Sequence, residues 1–243
     1  MKKIAIVLLG LFCISLFTGC KDSGKKILKK RIENMEKSSG KPMSEEEIKA
    51  AIDQYYDDIE EIQKKNMQIA IWYKMLGTRM LDKKEYGTAL QYFQKALEIT
   101  PDNSVLYFYA GECAAFLGNA SLDIDASGNL QKRINYYKMA EDAYLKALAI
   151  DDRYVYALLG ISILYSYQME NSEAAIPYLE KLLTIDKKNI DAMFVLARCY
   201  YLTRQYDMAL QYYDLIIDTS KVKATKETAE ENKQKVLSQA YEN

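Results

Sequence analysis

The sequence predicts an all-α fold, a solenoid of about four stacked helix pairs with a further helix flanking it at either end. Two observations lead there. A spacing recurs four times: a small residue, a large apolar residue four positions on, and another apolar residue three beyond that. The instances are Ala89/Phe93/Ala96, Ala140/Tyr144/Ala147, Ala175/Leu179/Leu182 and Ala209/Tyr213/Ile216. Offsets of four and seven place all three side chains on one helix face. A helix repeated in this way cannot bury its face alone and must stack on its neighbours. The second observation is composition. Only 10 glycines and 3 prolines punctuate 243 residues, and no segment alternates polar and apolar residues as a half-buried strand would.

Lys2 and Lys3 open the chain, followed by an apolar run from Ile4 to Phe17 and then Thr18, Gly19 and Cys20. A membrane-spanning helix needs about 20 apolar residues, so this shorter run with a basic start reads as a secretory signal over 1–19. Its end, Leu16-Phe17-Thr18-Gly19-Cys20, resembles a bacterial lipobox, with Phe17 where that family usually has leucine. The resemblance implies lipidation of Cys20, cleavage before it, and attachment to a membrane of the bacterial cell envelope, facing the periplasm or the exterior. Residues 20–43 read as a lipidated tether. Positions 21–43 hold eight basic and three acidic residues, a balance that suits an anionic lipid surface or a plain soluble spacer.

A capping box, Ser44 with Glu47, opens the next helix. Ile48, Ile52, Tyr55, Ile59 and Ile62 follow in steps of three and four. The segment 44–69 is expected to cap the first helix pair with that stripe.

Each repeated helix is preceded by one with its own signature. Gly77, after Tyr73 and Leu76, lies twelve residues before Ala89; Ala197, after Met193 and Leu196, lies twelve before Ala209. A small side chain there lets the two helices approach closely. Pro101 ends the first pair. This pattern resembles the tetratricopeptide repeat (TPR), a helix–turn–helix of about 34 residues. The resemblance implies a right-handed solenoid over 70–223, with repeats at 70–103, 104–154, 155–189 and 190–223. Asp152, Lys187 and Lys221 replace the terminal proline in the later repeats, and the third has a turn one residue longer. Its small first-helix residue is Ser162, or Gly160 in another register. Residues 224–243, with a thin stripe of Ala229, Val236, Leu237 and Ala240, resemble the solvating helix that follows the last repeat in this family.

The chain has no histidine, which removes Ser/His/Asp and Cys/His catalysis and histidine-based metal sites. Acidic pairs such as Asp57-Asp58 sit on a solvated face, and no glycine-rich phosphate loop occurs. A non-enzyme is expected. From residue 44 onward 23 basic residues face 31 acidic ones, against the basic stripe that nucleic acid requires. Of four cysteines, Cys113 and Cys199 remain after the signal and lipid site. They occupy equivalent places two repeats apart and are expected as free, buried thiols.

The second repeat holds an extra stretch, 119–135. Asp123, Asp125, Ser127 and Asn129, with Gly128, resemble the start of an EF-hand calcium loop. Ile134 stands where that family has its bidentate glutamate, so Glu141 or Asp142 would have to complete the shell. The competing expectation is a polar turn before a helix carrying Leu130, Ile134 and Tyr137. Apart from this calcium site no cofactor is expected.

In TPR proteins the first helices line the concave face. Carried over residue by residue, the resemblance places Ile71, Lys74 and Thr78 there, then Phe108, Glu112, Ala115 and Phe116. Tyr156, Leu159, Ile163 and Tyr167 follow from the third repeat, and Phe194, Arg198, Tyr201 and Leu202 from the fourth. This aromatic surface implies a protein partner held in the groove, without the Lys/Asn/Arg set that clamps a peptide's terminal carboxylate. The expected function is a membrane-anchored, non-enzymatic interaction scaffold. The alternative is a binder of a small apolar ligand serving an envelope transport system.

Overall fold

All twelve residues of the recurring spacing are at most 5% exposed, and all but Tyr144 and Tyr213 have no exposed surface at all. The computed structural model describes residues 44–121 and 129–241, together with 29, 30, 33, 34 and 37. Among these residues lie nine helices: α1 (Glu45–Asp82), α2 (Tyr86–Ile99), α3 (Ser104–Ala120), α4 (Asn129–Ile150), α5 (Val155–Ile163), α6 (Ser172–Ile185), α7 (Ile190–Leu202), α8 (Tyr206–Thr219) and α9 (Lys223–Tyr241). A single π turn, Leu164–Gln168, extends α5. Consecutive helices pack in pairs, and the first helices of adjacent repeats touch, α3 with α5 and α5 with α7. The architecture is a TPR-like solenoid.

The chain divides at residues 63 and 64 into two units. The capping box forms at the start of α1: the Ser44 amide donates to Glu47 Oε2 at 2.7 Å, and the Glu47 amide donates to Ser44 Oγ at 3.2 Å. One boundary differs from the expectation. No break separates a capping helix over 44–69 from the first repeat, because nothing between Ser44 and Asp82 interrupts helical geometry and α1 runs through 38 residues. Within the first unit Ile48, Ile52, Ile59 and Ile62 are each 47% or more exposed, and Tyr55 is part-buried.

From residue 64 the first repeat closes as the small-residue rule requires. A Cβ placed on Gly77 would lie 2.6 Å from the Phe93 ring, so only glycine lets α1 and α2 approach at this point. Asn103, Asn171 and Asn189 cap α3, α6 and α7, each accepting a hydrogen bond from the amide three residues on. The turns inside the first, third and fourth repeats share one device. Lys84, Glu170 and Arg204 adopt positive φ of 61°, 52° and 61°, each five residues before its repeat's alanine. The amide of the following residue closes the turn, Glu85 to Met80 O, Gln205 to Tyr200 O and Asn171 to Tyr165 O.

The third of these bonds spans six residues where the others span five. The additional residue of the third repeat is therefore taken up by the π turn. Ser162 keeps the place of Ala197, both with no exposed surface, which settles the register. Gly160 serves the neighbouring repeat instead: its Cβ would lie 2.8 Å from the Tyr144 ring.

The core falls into two clusters. Phe93, Leu106, Ala110 and Cys113 belong to one; Tyr144 and the buried residues of α5 to α9 belong to the other. Two tyrosines link successive repeats. The Tyr165 hydroxyl donates to Glu141 at 2.6 Å and the Tyr200 hydroxyl to Glu180 at 2.6 Å. Cys113 and Cys199 are free and buried. Burial, helped by the Glu112 carboxylate, pushes the Cys113 thiol up to about 12, so it acts as a small apolar side chain.

Within the stretch 119–135, α3 continues to Ala120 and α4 begins at Asn129. Leu130 and Ile134 are about half exposed, while Tyr137 is buried and donates to Asn119 Oδ1 at 2.8 Å. Among the described residues Leu130 and Ile134 therefore do not join Tyr137 in the core. Asp123, Asp125 and Ser127 lie outside the described residues, as do the signal segment 1–19 and Cys20. Glu141, one of the two carboxylates available to complete a calcium shell, is engaged by Tyr165. Among the described residues no helix is long and apolar enough to cross a membrane.

Candidate functional site

First helices present their outward positions along one face because their opposite positions are fixed in the core. Leu106, Ala110, Cys113 and Ala114 of α3 are buried, which turns Phe108, Glu112, Ala115 and Phe116 to the other side. In α5, buried Ala157, Leu158 and Ile161 similarly leave Tyr156, Leu159 and Ile163 facing out. These two sets meet around a cavity of about 290 Å³, lined also by Tyr144, Gly160 and Gln168.

Its walls are largely aromatic. Phe108 is half-buried and touches the rings of Tyr109, Tyr144, Tyr154 and Tyr156 at centroid distances of 5.3–6.1 Å. Phe116 stacks on Tyr86 of α2 at 4.6 Å. Tyr156, 64% exposed, is the open ring at the rim. Phe108 is thus a structural member of the cluster as well as a lining residue.

Glu112 is the one charged group in this cavity, half-buried, and desolvation raises its pKa above the ordinary carboxylate value of 4.5. The folded state holds this proton where the unfolded chain has already released it. The ionised side chain therefore weakens the fold, an effect absent well below pH 4.5 and growing as pH rises through the raised pKa. Glu112→Gln is expected to raise the denaturation midpoint at pH 7 and to leave it unchanged below the ordinary carboxylate value. A variant less stable than the parent at pH 7 would contradict this.

The remaining four expected residues gather elsewhere. Tyr167, Phe194, Arg198 and Tyr201 line a second cavity of about 280 Å³, with Tyr213, Asn232, Lys235 and Val236. Arg198 is committed to structure: its Nη1 donates to the Ser166 carbonyl at 3.0 Å and to Ser166 Oγ at 2.8 Å, and its guanidinium lies 4.1 Å over the Tyr167 ring. Tyr201 donates to Gln239 of α9 at 3.3 Å. The C-terminal helix thus forms one wall of this second cavity.

Sequence reasoning missed Gln168 and the α9 residues. Gln168 lies in the π turn, where counting by helical period fails, and the only hint was the one-residue excess of the third repeat. A broader trough of about 690 Å³ lies between second helices and mixes Lys138, Lys146, Asp142 and Glu98 with apolar residues. Its charges are of both signs and nothing converges in it.

Comparison with known proteins agrees with this architecture. Tetratricopeptide repeat family models match residues 71–103 and residues 166–220. A TPR repeat-containing protein of Borreliella burgdorferi is 26% identical over 252 aligned residues, covering 100% of this chain and 99% of that one. Among solved structures, a thermophilic TPR protein of Thermus thermophilus superposes with a TM-score of 0.56 at 17% identity, over 73% of this chain and 86% of that one. YrrB, described as a TPR protein with an unusual peptide-binding site, gives 0.52 at 19% identity, over 75% and 90%. At such identities the superpositions bear on the fold alone.

Proposed function

We propose that this chain, which carries tetratricopeptide repeats, is a non-enzymatic scaffold that holds a protein partner along the face lined by its first helices. Support comes from one observation above all. Side chains of α3 and α5, and separately those of α7, leave two cavities rich in tyrosine and phenylalanine, the residues that anchor interfaces. The peptide-binding site named for YrrB is compatible with such a use of the fold.

The lipobox-like Leu16–Cys20 segment extends the proposal. The mature chain is tethered by lipid on Cys20 to a membrane of the cell envelope, facing the periplasm or the exterior. Photo-crosslinking groups at Phe116 and Leu202, exposed positions lining the two cavities, test the face in living bacteria. The expected result is capture of a discrete partner, reduced at least about tenfold when Tyr156→Ala and Tyr201→Ala are combined, since two anchor truncations remove about 1–2 kcal/mol each. Equal capture by the double variant would refute the docking face. Incorporation of labelled palmitate tests the anchor; it is expected in the parent and lost in Cys20→Ala. A co-purifying apolar small molecule seen by native mass spectrometry, with no protein captured, would favour a ligand carrier instead.

A further inference from the structure

The cavity between α3 and α5 is apolar over most of its walls yet is lined by two acceptors, Glu112 and Gln168 Oε1, that form no hydrogen bond among the described residues. Among the described residues the Glu112 carboxylate makes no hydrogen bond or ion pair, and its raised pKa arises from desolvation alone. Gln168 Oε1 is shielded from solvent and has no partner among them either. Both are acceptors. A shielded acceptor without a donor is costly, which applies to Gln168 Oε1; the half-buried Glu112 carboxylate is desolvated, and the lining contains no lysine or arginine to pair with it. The nearby Arg198 is already engaged by Ser166 and Tyr167.

We propose that this cavity receives a basic side chain, arginine or lysine, projecting from the partner polypeptide; the inference rests on the docking face proposed above. Three features converge on that ligand class. A guanidinium or ammonium is a donor-only group that satisfies Glu112 and Gln168 together. The exposed ring of Tyr156, whose centroid lies 5.9 Å from that of Phe108 at a tilt of 47°, offers π surface to a cation and its aliphatic stem. The volume of about 290 Å³ is at the lower limit of small-molecule sites and matches a single long side chain. An apolar occupant would leave both acceptors unsatisfied, and an anion would be repelled by Glu112.

The π turn belongs to the same device. It ends on Gln168, a residue that lines the cavity, and single π turns are concentrated at functional sites.

The test uses the purified full chain and blocked pentapeptides, two glycines either side of arginine, lysine, citrulline or acetyl-lysine, titrated while side-chain NMR signals of Ile163 and Leu159 are followed. The basic peptides are expected to bind about tenfold tighter than their neutral counterparts, the size of one charge-assisted hydrogen bond. Glu112→Gln, which keeps shape and relieves an unpaired carboxylate, is expected to abolish that preference without loss of fold. Binding of the basic peptides should weaken as pH falls through the ionisation of Glu112, while the neutral ones stay constant. Equal binding of basic and neutral peptides, or no shift at millimolar concentrations of any of them, overturns the proposal. A preference that survives in Glu112→Gln does so too, as does a free diamine binding as tightly as the peptides. Partner capture from Phe116 and Leu202 is read separately, so a failed peptide preference with intact capture removes the cavity ligand and leaves the scaffold standing.

Discussion

Phe93→Ala is expected to destabilise the protein by about 3–5 kcal/mol, the range for truncating a fully buried phenylalanine. The ring has no exposed surface. It fills the space left by Gly77 of α1 and stacks on Tyr109 of α3 at 5.1 Å and 9°. It therefore joins three helices, and alanine leaves a cavity that none of them can close without breaking its other contacts. In a solenoid each repeat depends on its immediate neighbours, and Phe93 belongs to the smaller of the two core clusters. Hydrogen exchange should show the loss concentrated in α1, α2 and α3, with α7 to α9 little changed. A drop of about 0.5 kcal/mol, typical of a surface change, would show that this pair is not held as described.

Filling the space at Tyr144 is expected to be nearly as damaging. Its ring sits between Gly111 of its own helix pair and Gly160 of the next, and a Cβ at either would approach it to 2.8 Å. Valine gains a few tenths of a kcal/mol over glycine in helix propensity, but overpacking a core costs about 1–3 kcal/mol, so the clash wins. Gly160→Val should lower stability by that amount and also narrow the cavity that Gly160 lines, weakening partner capture. The cause is checked by repeating the substitution in a Tyr144→Leu background. There the penalty should shrink by at least about 1 kcal/mol, the coupling of residues in direct contact. An unchanged penalty would place the clash elsewhere.

The repeats were legible because their signal is redundant. Ala89, Ala140, Ala175 and Ala209 each set a face that the following large residues confirm, and burial on both sides leaves little choice of register. What could not be read was where regularity stops. Nothing between Ser44 and Asp82 marks the end of one helix and the start of another, so a boundary placed at 69/70 had only repeat length behind it. The stripe from Ile48 to Ile62 has the same period whether it is covered or open to solvent. In the site, Glu112 and Tyr156 followed from position alone. The division of eight expected residues into two cavities did not, since it depends on which helix ends reach which neighbour. Arg198 was taken from position as a partner contact, whereas Ser166 and Tyr167 already hold it.

The π turn in α5 has a consequence for how such a chain diversifies. One added residue in an ordinary α-helix turns everything downstream through about 100°, which would carry Ala175, Leu179 and Leu182 out of phase with their neighbours. Here the surplus is confined to Leu164–Gln168, and α6 still buries those three side chains completely. Length variation at this point edits the chemistry offered to a visitor while leaving the stacking phase untouched.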